Sequence, residues 1–253
     1  KKYNSRFIQT GIQEHHAATC AGSLSKEDSL VFFSDFAIFG LDETFNQQRL
    51  NQINHTNLKG VFTHAGTNVG EDGRTHHCIN YTALTNTIPG AKLLLPADPN
   101  QTKHAVRYAA RTDGNFFIIM GRSKLPLIRK DNGDLYYGND YNFEYGKEDI
   151  IFESSKNYVI SAGPGFSQCY DAVKKARADG IDVGLINICS PLSLSDNLKK
   201  VLQNTNAVVY EDHYSGSGLA SRIYEFIGKN GINCKCENFG ISTFAPSGDY
   251  MDI

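Results

Sequence analysis

The sequence predicts an α/β protein built from two doubly wound, mostly parallel-sheet domains. Short apolar runs of strand length alternate with helical patterns along most of the 253 residues, and this alternation is typical of βαβ units. Runs such as Leu30–Phe33 and Phe116–Met120 are continuously apolar, as expected for parallel strands that are covered on both faces. The alternation is interrupted between residues 124 and 156, which indicates a boundary between two domains.

The first predicted domain comprises residues 1–123. Five apolar runs predict its strands, at Arg6–Thr10, Leu30–Phe33, Lys59–Thr63, Ala91–Leu95 and Asn115–Met120. Helical patterns between them predict helices at Glu14–Leu24, Glu43–Asn54, His77–Asn86 and Thr102–Thr112. Parallel strands joined by helical crossovers are the simplest arrangement of this order.

Residues 124–156 are rich in Asp, Asn, Gly and Tyr, which predicts a linker of loops or a short hairpin. The second domain then covers residues 157–253. Its predicted strands are Asn157–Ala162, Asp182–Ile188, Ala207–Glu211 and Cys234–Phe239, and its predicted helices are Gln168–Asp179, Ser195–Gln203 and Gly218–Asn230.

Composition excludes several classes of function. The formal net charge is −2 and there is no basic block, so neither nucleic-acid nor anionic-membrane binding is expected. The apolar runs are far shorter than the ~20 residues of a membrane span. Six cysteines in a chain of this size suit a reducing cytoplasm. Cys234 and Cys236 have no second pair at zinc-finger spacing, so no metal site is assigned.

Segment 63–77, THAGTNVGEDGRTHH, is the richest in reactive side chains. It follows a predicted strand, and ligands bind at the carboxyl ends of parallel strands. His64, His76 and His77 match no zinc spacing, and a polar surface loop would have the same composition. On composition alone, the segment is either a loop that binds a ligand or a polar surface loop.

Four further residues have a functional and an ordinary interpretation. Glu14 lies in the first turn of a predicted apolar helix, where an acid usually complements the helix dipole. Phe36 and Phe39 follow a strand and are either core residues or a stacking wall for a flat ring. Arg122 follows the strand at 115–120 and either binds phosphate or is solvated.

The order of these segments resembles the transketolase family over nearly the whole chain. RFIQTGIQEHHAATCAGSL is similar to the family's pyrimidine-binding domain, FSDFAIF to its aromatic segment and THAGTNVGEDGRTH to its substrate loop. IPGAKLLLPADPNQ and the later Gly-Arg match the end of that domain. YEDHYSGSGLASRI resembles its C-terminal domain.

The resemblance implies a thiamine-diphosphate-dependent enzyme that transfers a two-carbon ketol unit between phosphorylated sugars. It gives Glu14 the role of the acid that hydrogen-bonds the pyrimidine ring and activates the cofactor. Phe36 and Phe39 would pack around the pyrimidine. His64 and His76 would contact sugar oxygens and assist proton transfer. Asp72 would hydrogen-bond a sugar hydroxyl, and Arg122 would hold the sugar phosphate.

Two residues depart from the family pattern. Arg74 stands where the family commonly has proline, so acceptor preference could differ. Asp42 stands near a position that usually carries an aromatic residue or arginine.

The family's diphosphate motif, which holds Mg²⁺, has no match in this chain, and the resemblance places the first strand and helix of the pyrimidine-binding domain before Lys1. The chain then needs either a separately encoded partner or an amino-terminal portion that precedes Lys1, and we favour the partner. We therefore expect a partner subunit with a diphosphate-binding domain, in a split α2β2 transketolase of the cytoplasm. The alternatives are a 1-deoxyxylulose-5-phosphate synthase-like subunit, a 2-oxoacid dehydrogenase beta-type subunit and a non-catalytic assembly subunit.

Overall fold

The computed structural model describes residues 3–248; Lys1, Lys2 and residues 249–253, the outer ends of the two predicted domains, lie outside the described residues. It contains a four-stranded and a five-stranded sheet, both mostly parallel and flanked by helices. The predicted fold class is therefore confirmed. No helix among the described residues is long and apolar enough to cross a membrane.

The first sheet is entirely parallel, with strand order β1-β2-β4-β3. Its strands are β1 (Val31–Phe36), β2 (Leu58–Thr63), β3 (Lys92–Leu94) and β4 (Phe116–Ile119). The helices of this part are α1 (Glu14–Leu24), α2 (Phe45–Ile53), α3 (Tyr81–Asn86) and α4 (Pro99–Arg111). Because the strands are parallel, their carboxyl ends meet at one edge of the sheet.

The second sheet has the order β5-β7-β6-β8-β9, and β5 is antiparallel to β7. Its strands are β5 (Asp149–Phe152), β6 (Asn157–Ser161), β7 (Gly184–Asn187), β8 (Thr205–Tyr214) and β9 (Cys234–Ile241). Its helices are α5 (Phe166–Ala178), α6 (Asp196–Leu202) and α7 (Leu219–Asn230). One buried apolar cluster includes residues of both sheets, such as Phe117 and Ile160, so the two sheets are packed together.

Two elements differ from the prediction. Arg6–Thr10 was predicted to be a strand, and this is wrong: beyond a 3-10 turn at Asn4–Arg6 the segment is irregular. Its apolar pattern is real, but Phe7 is 75% and Ile8 67% exposed, and β1 pairs only with β2 among the described strands. A strand needs a partner for its backbone groups. Strand β5 lies within the segment predicted as a linker. It was not predicted, because its four residues are too few to show a period.

A buried polar cluster connects the segment before β5 to helix α4 and to the second sheet. The carboxylate of Asp149 accepts hydrogen bonds from Gln101 Nε2 at 2.8 Å and from the hydroxyls of Tyr141 (3.0 Å) and Tyr137 (3.3 Å). Asn187 Nδ2 donates to it at 3.3 Å. Burial raises the pKa of Asp149 to about 6, and the hydrogen bonds from Tyr141, Asn187 and Tyr137 oppose the rise. The cluster therefore contains a carboxylate whose ionised form costs stability.

Asp149→Asn is expected to change how stability depends on pH. The folded-state pKa lies above the ordinary value of 3.8, so the folded chain binds a proton more readily than the unfolded chain. The contribution of Asp149 to the free energy of unfolding therefore falls as pH rises from about 4 to about 6, by roughly 3 kcal/mol. Urea unfolding at pH 4 and pH 7 should show that the variant, which stays neutral, gains stability relative to the wild-type chain at the higher pH.

The matched control is Asp171→Asn, which changes an exposed aspartate of α5 and should keep the wild-type pH profile. A difference between the wild-type chain and Asp149→Asn that is the same at both pH values would contradict this account of the cluster.

Candidate active site

The candidate site lies at the carboxyl ends of β1 and β2. Phe36 is the last residue of β1, and a π-helical turn at Ile38–Glu43 follows and carries Phe39. Thr63 ends β2, and His64 comes next in the chain. Since β1 and β2 are paired in parallel, with Phe36 opposite Thr63, the two segments leave the sheet side by side.

Four predicted site residues form one ring cluster, consisting of Phe36, Phe39, His64 and His76. The Phe36 and Phe39 rings are 6.3 Å apart between centroids and inclined by 22°. His64 stacks on Phe36 at 3.6 Å, and His76 meets the Phe39 ring edge-on at 5.3 Å. All four rings are partly exposed. The ring cluster is thus a set of aromatic and imidazole surfaces open to a ligand.

His64 is held in an unusual backbone conformation. Its φ is +58°, in the left-handed region that few residues other than glycine occupy. Its Nδ1 lies 2.8 Å from the hydroxyl of Thr63. Burial lowers the pKa of His64, the charge of Arg122 lowers it further, and Asp72 opposes the change. His64 is therefore a neutral imidazole near pH 7, able to accept or donate a hydrogen bond.

Arg122 points into the loop that follows β2. Its Nη1 donates to the carbonyl oxygen of Val69 at 2.5 Å and to Glu71 Oε2 at 2.9 Å, and Asp72 Oδ2 lies 4.0 Å away. The side chain of Arg122 is 41% exposed and that of Glu71 75%. Exposed ion pairs of this kind are weak, so an anionic ligand can replace Glu71 on the guanidinium.

Glu14 is the first residue of α1 and is half-buried. It lines an open cleft of about 640 Å³ together with residues of β1 and of segment 6–12. Asp35, next to Phe36, is part of the same charged region: burial raises its pKa, a hydrogen bond from the Phe36 N–H at 2.7 Å opposes this, and the charges of Glu14 and Glu43 add to the rise. Sequence reasoning missed Asp35 and Glu43, although Asp35 lies within the quoted segment FSDFAIF.

The two departures from the family pattern have different surroundings. Arg74 is exposed at the start of a 3-10 turn that ends at His76. Asp42 lies in the π-helical turn, and its Oδ2 accepts a hydrogen bond from Asn80 Nδ2 at 2.9 Å. Asp42 therefore links this turn to the end of the loop that carries both histidines.

The third histidine of the loop, His77, is separate from the ring cluster. It is 2% exposed, and its ring lies 6.2 Å from that of Phe244. Neither ring nitrogen has a hydrogen-bond partner among the described residues. Burial lowers the pKa of His77, and the charges of Arg74 and His76 lower it further. His77 is thus a neutral, packed side chain.

Comparison with protein families gives two matches, which together cover most of the chain. Residues 1–127 match the family model "Transketolase, pyrimidine binding domain", and residues 146–252 match "Transketolase, C-terminal domain".

Similar proteins of known sequence fall into two size groups. A transketolase C-terminal section of Methanocaldococcus jannaschii is 27% identical over 98% of this chain and 77% of its own length. One subunit of the apulose-4-phosphate transketolase of Phocaeicola vulgatus is 24% identical over 92% of this chain and 73% of its own length. Transketolase-like protein 2 of Mus musculus is 30% identical over 88% of this chain, which spans only 35% of that protein.

The similar solved structures also fall into two size groups. A split-gene transketolase, described as an inactive β4 tetramer, superimposes with a TM-score of 0.83 at 25% identity, over 95% of this chain and 77% of that chain. A transketolase of Pichia stipitis in complex with sedoheptulose 7-phosphate has the same fold, with a TM-score of 0.80 at 21% identity. This chain is 98% covered in that match and spans 35% of that protein.

Proposed function

The chain belongs to the transketolase family, and we propose that it is the pyrimidine-binding subunit of a split, thiamine-diphosphate-dependent transketolase. The observation that carries the proposal is the ring cluster of Phe36, Phe39, His64 and His76, with Glu14 acting electrostatically on the residue next to Phe36. The similarity to a split-gene transketolase and to one subunit of the apulose-4-phosphate enzyme, over about three quarters of their lengths, supports a subunit rather than a complete enzyme.

The residues present fit the pyrimidine end of the cofactor. Phe36 and Phe39 offer two nearly parallel rings, which suits a flat heterocycle. Glu14 is a half-buried carboxyl group at the wall of the neighbouring cleft. A carboxyl group in this setting can share a proton with a ring nitrogen. We assign the diphosphate group and its Mg²⁺ to the partner subunit.

Thiamine diphosphate, when bound, supplies the carbon nucleophile that breaks and forms the carbon–carbon bond of a ketose. Glu14 would hydrogen-bond the pyrimidine ring, and Phe36 with Phe39 would hold that ring in place. His64 and His76 would hydrogen-bond sugar oxygens and move protons at them, as imidazole groups do in many enzymes. Asp72 would bind a sugar hydroxyl, and Arg122 would bind the phosphate of the sugar.

An apolar surface next to Glu14 supports a partner at this side of the chain. Ile12 is 93% exposed, Phe7 75% and Phe32 43%, and all three lie on the walls of the cleft that contains Glu14. Contiguous exposed apolar surfaces mark interaction sites. We call Phe7, Ile8, Ile12, Leu30 and Phe32 the amino-terminal apolar face, and we propose that the diphosphate-binding subunit covers it in an α2β2 assembly.

The six cysteines are free thiols, which supports our proposal of a cytoplasmic enzyme.

A reconstituted assay tests the proposed function. The chain and a diphosphate-domain subunit, with thiamine diphosphate and Mg²⁺, are offered hydroxypyruvate or pyruvate as donor and several aldose phosphates as acceptors. We expect two-carbon transfer from hydroxypyruvate to an aldose phosphate. Turnover with pyruvate but not hydroxypyruvate as the donor to an aldose phosphate would indicate 1-deoxyxylulose-5-phosphate synthase-type chemistry. No turnover with either donor would indicate a non-catalytic subunit.

Glu71→Gln is expected to improve the binding of phosphorylated acceptors. Glu71 Oε2 occupies Arg122 Nη1 at 2.9 Å, and the charge of Glu71 also repels a phosphate. Removing that charge should lower KM for an aldose phosphate about two- to fivefold, the range expected for an exposed ion pair, and leave kcat unchanged. Steady-state kinetics in the reconstituted complex measure this.

The unphosphorylated aldose serves as the control substrate, since its KM should be the same for the wild-type chain and for Glu71→Gln. A KM for the aldose phosphate that stays constant or rises in the variant would show that Arg122 does not bind the phosphate.

A further inference from the structure

The end of β8 reaches from the second sheet to both ends of the histidine loop, which we define as residues 64–80. At the near end, the backbone N–H and the hydroxyl of Thr67 both donate to Asp212 Oδ1, at 2.9 and 3.0 Å. At the far end, Tyr214 donates its N–H to the carbonyl oxygen of Ile79 at 2.7 Å. The loop that carries His64 and His76 is therefore fastened to the other domain.

Helix α3, which follows the loop, is fastened to the same strand. The hydroxyl of Tyr81 donates to the carbonyl oxygen of Asp212 at 3.1 Å, and the N–H of Thr82 donates to His213 Nε2 at 3.2 Å. Residues 212–214 thus form hydrogen bonds with both ends of the histidine loop and with the first two residues of α3.

Gly66 makes the contact with Asp212 possible. Its φ is +82°, and a Cβ at this position would overlap Oδ2 of Asp212. Its N–H donates to the carbonyl oxygen of Cys78 at 2.8 Å, and the N–H of Ala65 donates to that of Met120 at 3.1 Å. The turn after His64 is therefore confined by backbone hydrogen bonds on one side and by the Asp212 carboxylate on the other.

The Asp212 carboxylate is buried and accepts its hydrogen bonds from the histidine loop. Asp212 is 9% exposed, and burial raises its pKa while hydrogen bonds from Thr67 and Asn68 oppose the rise. Buried carboxylates are retained where hydrogen bonds satisfy them. Its partners lie in the loop itself, shortly after His64 and Gly66, at the base of the turn that sets the direction of the His64 ring.

We propose that Asp212 is a positioning residue that holds His64 in place against Phe36 and so prepares the sugar-binding side of the site. It acts through Thr67 and Gly66 and touches neither the cofactor nor the sugar. The inference rests on the proposed function, because it gives the second domain a part in the same site. Small displacements of groups that orient a substrate cost large factors in rate.

Two substitutions at Asp212 distinguish the effect of its negative charge from the effect of its hydrogen-bond acceptor. Asp212→Asn keeps an oxygen that can accept both Thr67 hydrogen bonds, and Asp212→Ala removes the acceptor. In the reconstituted complex we expect kcat to fall about 10- to 100-fold for Asp212→Ala and less than about threefold for Asp212→Asn. Cofactor affinity should be the same in both variants.

Hydrogen exchange supplies a measurement that needs no activity. In the full chain, Asp212→Ala should speed amide exchange about tenfold or more in residues 64–73, while exchange in helix α5 stays as in the wild-type chain. A change in both regions would mean general destabilisation and would overturn a specific role. Wild-type exchange in the loop together with wild-type kcat would overturn it as well.

Thr67→Val tests the proposal if Asp212→Ala fails to fold. It removes the hydroxyl donor and keeps the N–H, so it should speed exchange in the loop and lower kcat by smaller factors. Combined with Asp212→Asn it should add less than the two single effects, and full additivity would count against the proposal. An inactive wild-type complex with the expected exchange pattern would instead refute the proposed function and leave the positioning of the loop supported.

Discussion

Glu14→Gln is expected to lower turnover of the reconstituted complex by a factor of about 10² to 10⁴, the usual contribution of a positioned acid or base. Glutamine has nearly the same shape as glutamate, but its amide has no carboxyl proton to share with a ring nitrogen. The charges around Glu14 matter as well, because Asp35 lies close enough for Glu14 to influence its ionisation. The measurement is kcat with hydroxypyruvate and an aldose phosphate.

Glu43→Gln is the matched control, since the charge of Glu43 also acts on Asp35 and the change in shape is identical. It should keep kcat within about threefold of the wild-type value. Analytical ultracentrifugation should show that both variants assemble with the partner as the wild-type chain does. Near-normal activity of Glu14→Gln would remove Glu14 from the mechanism.

Ile12→Asp is expected to weaken association with the diphosphate-binding subunit strongly while leaving the fold of the isolated chain unchanged. Ile12 is 93% exposed, so an aspartate there is solvated in the free chain. If the partner covers the amino-terminal apolar face, the same aspartate becomes a buried, unpaired charge, which costs several kcal/mol. The dissociation constant of the complex should therefore rise about 100-fold or more, as measured by analytical ultracentrifugation.

The control for this change is Ile181→Asp. Ile181 is 56% exposed and lies between α5 and β7 in the second domain, away from the amino-terminal apolar face. Its substitution should leave the dissociation constant unchanged. Equal losses for Ile12→Asp and Ile181→Asp, or no loss for Ile12→Asp, would show that the apolar face is not the docking surface.

Much of the fold could be predicted because it follows local rules. Helix α1 begins and ends where it was predicted, at Glu14 and Leu24, and strand β4 lies within the apolar run 115–120. Segment Arg6–Thr10 was also predicted to be a strand, on Phe7 and Ile8, yet it is exposed and irregular. Whether an apolar run becomes a strand depends on the strand beside it, and that information is not local.

The candidate site likewise has contacts that could be predicted from local sequence and contacts that could not. Phe36 and His64 were predicted from segments that follow two strands, and parallel pairing brings their rings to 3.6 Å. The contact between Thr67 and Asp212 joins residues 145 positions apart. No periodicity or spacing along the chain predicts such a pair, because it depends on how the two domains pack. The Asp149 cluster was missed for the same reason.

Calorimetric titration of thiamine diphosphate, in the presence of Mg²⁺, tests the central claim most directly, namely that this chain provides one half of a shared site. We expect the isolated chain to bind weakly, with a Kd above about 1 mM, equivalent to ~4 kcal/mol of binding free energy. An equimolar mixture with the diphosphate-binding subunit should bind much more tightly, with one cofactor for each copy of this chain. Tight, stoichiometric binding to the isolated chain would contradict the claim.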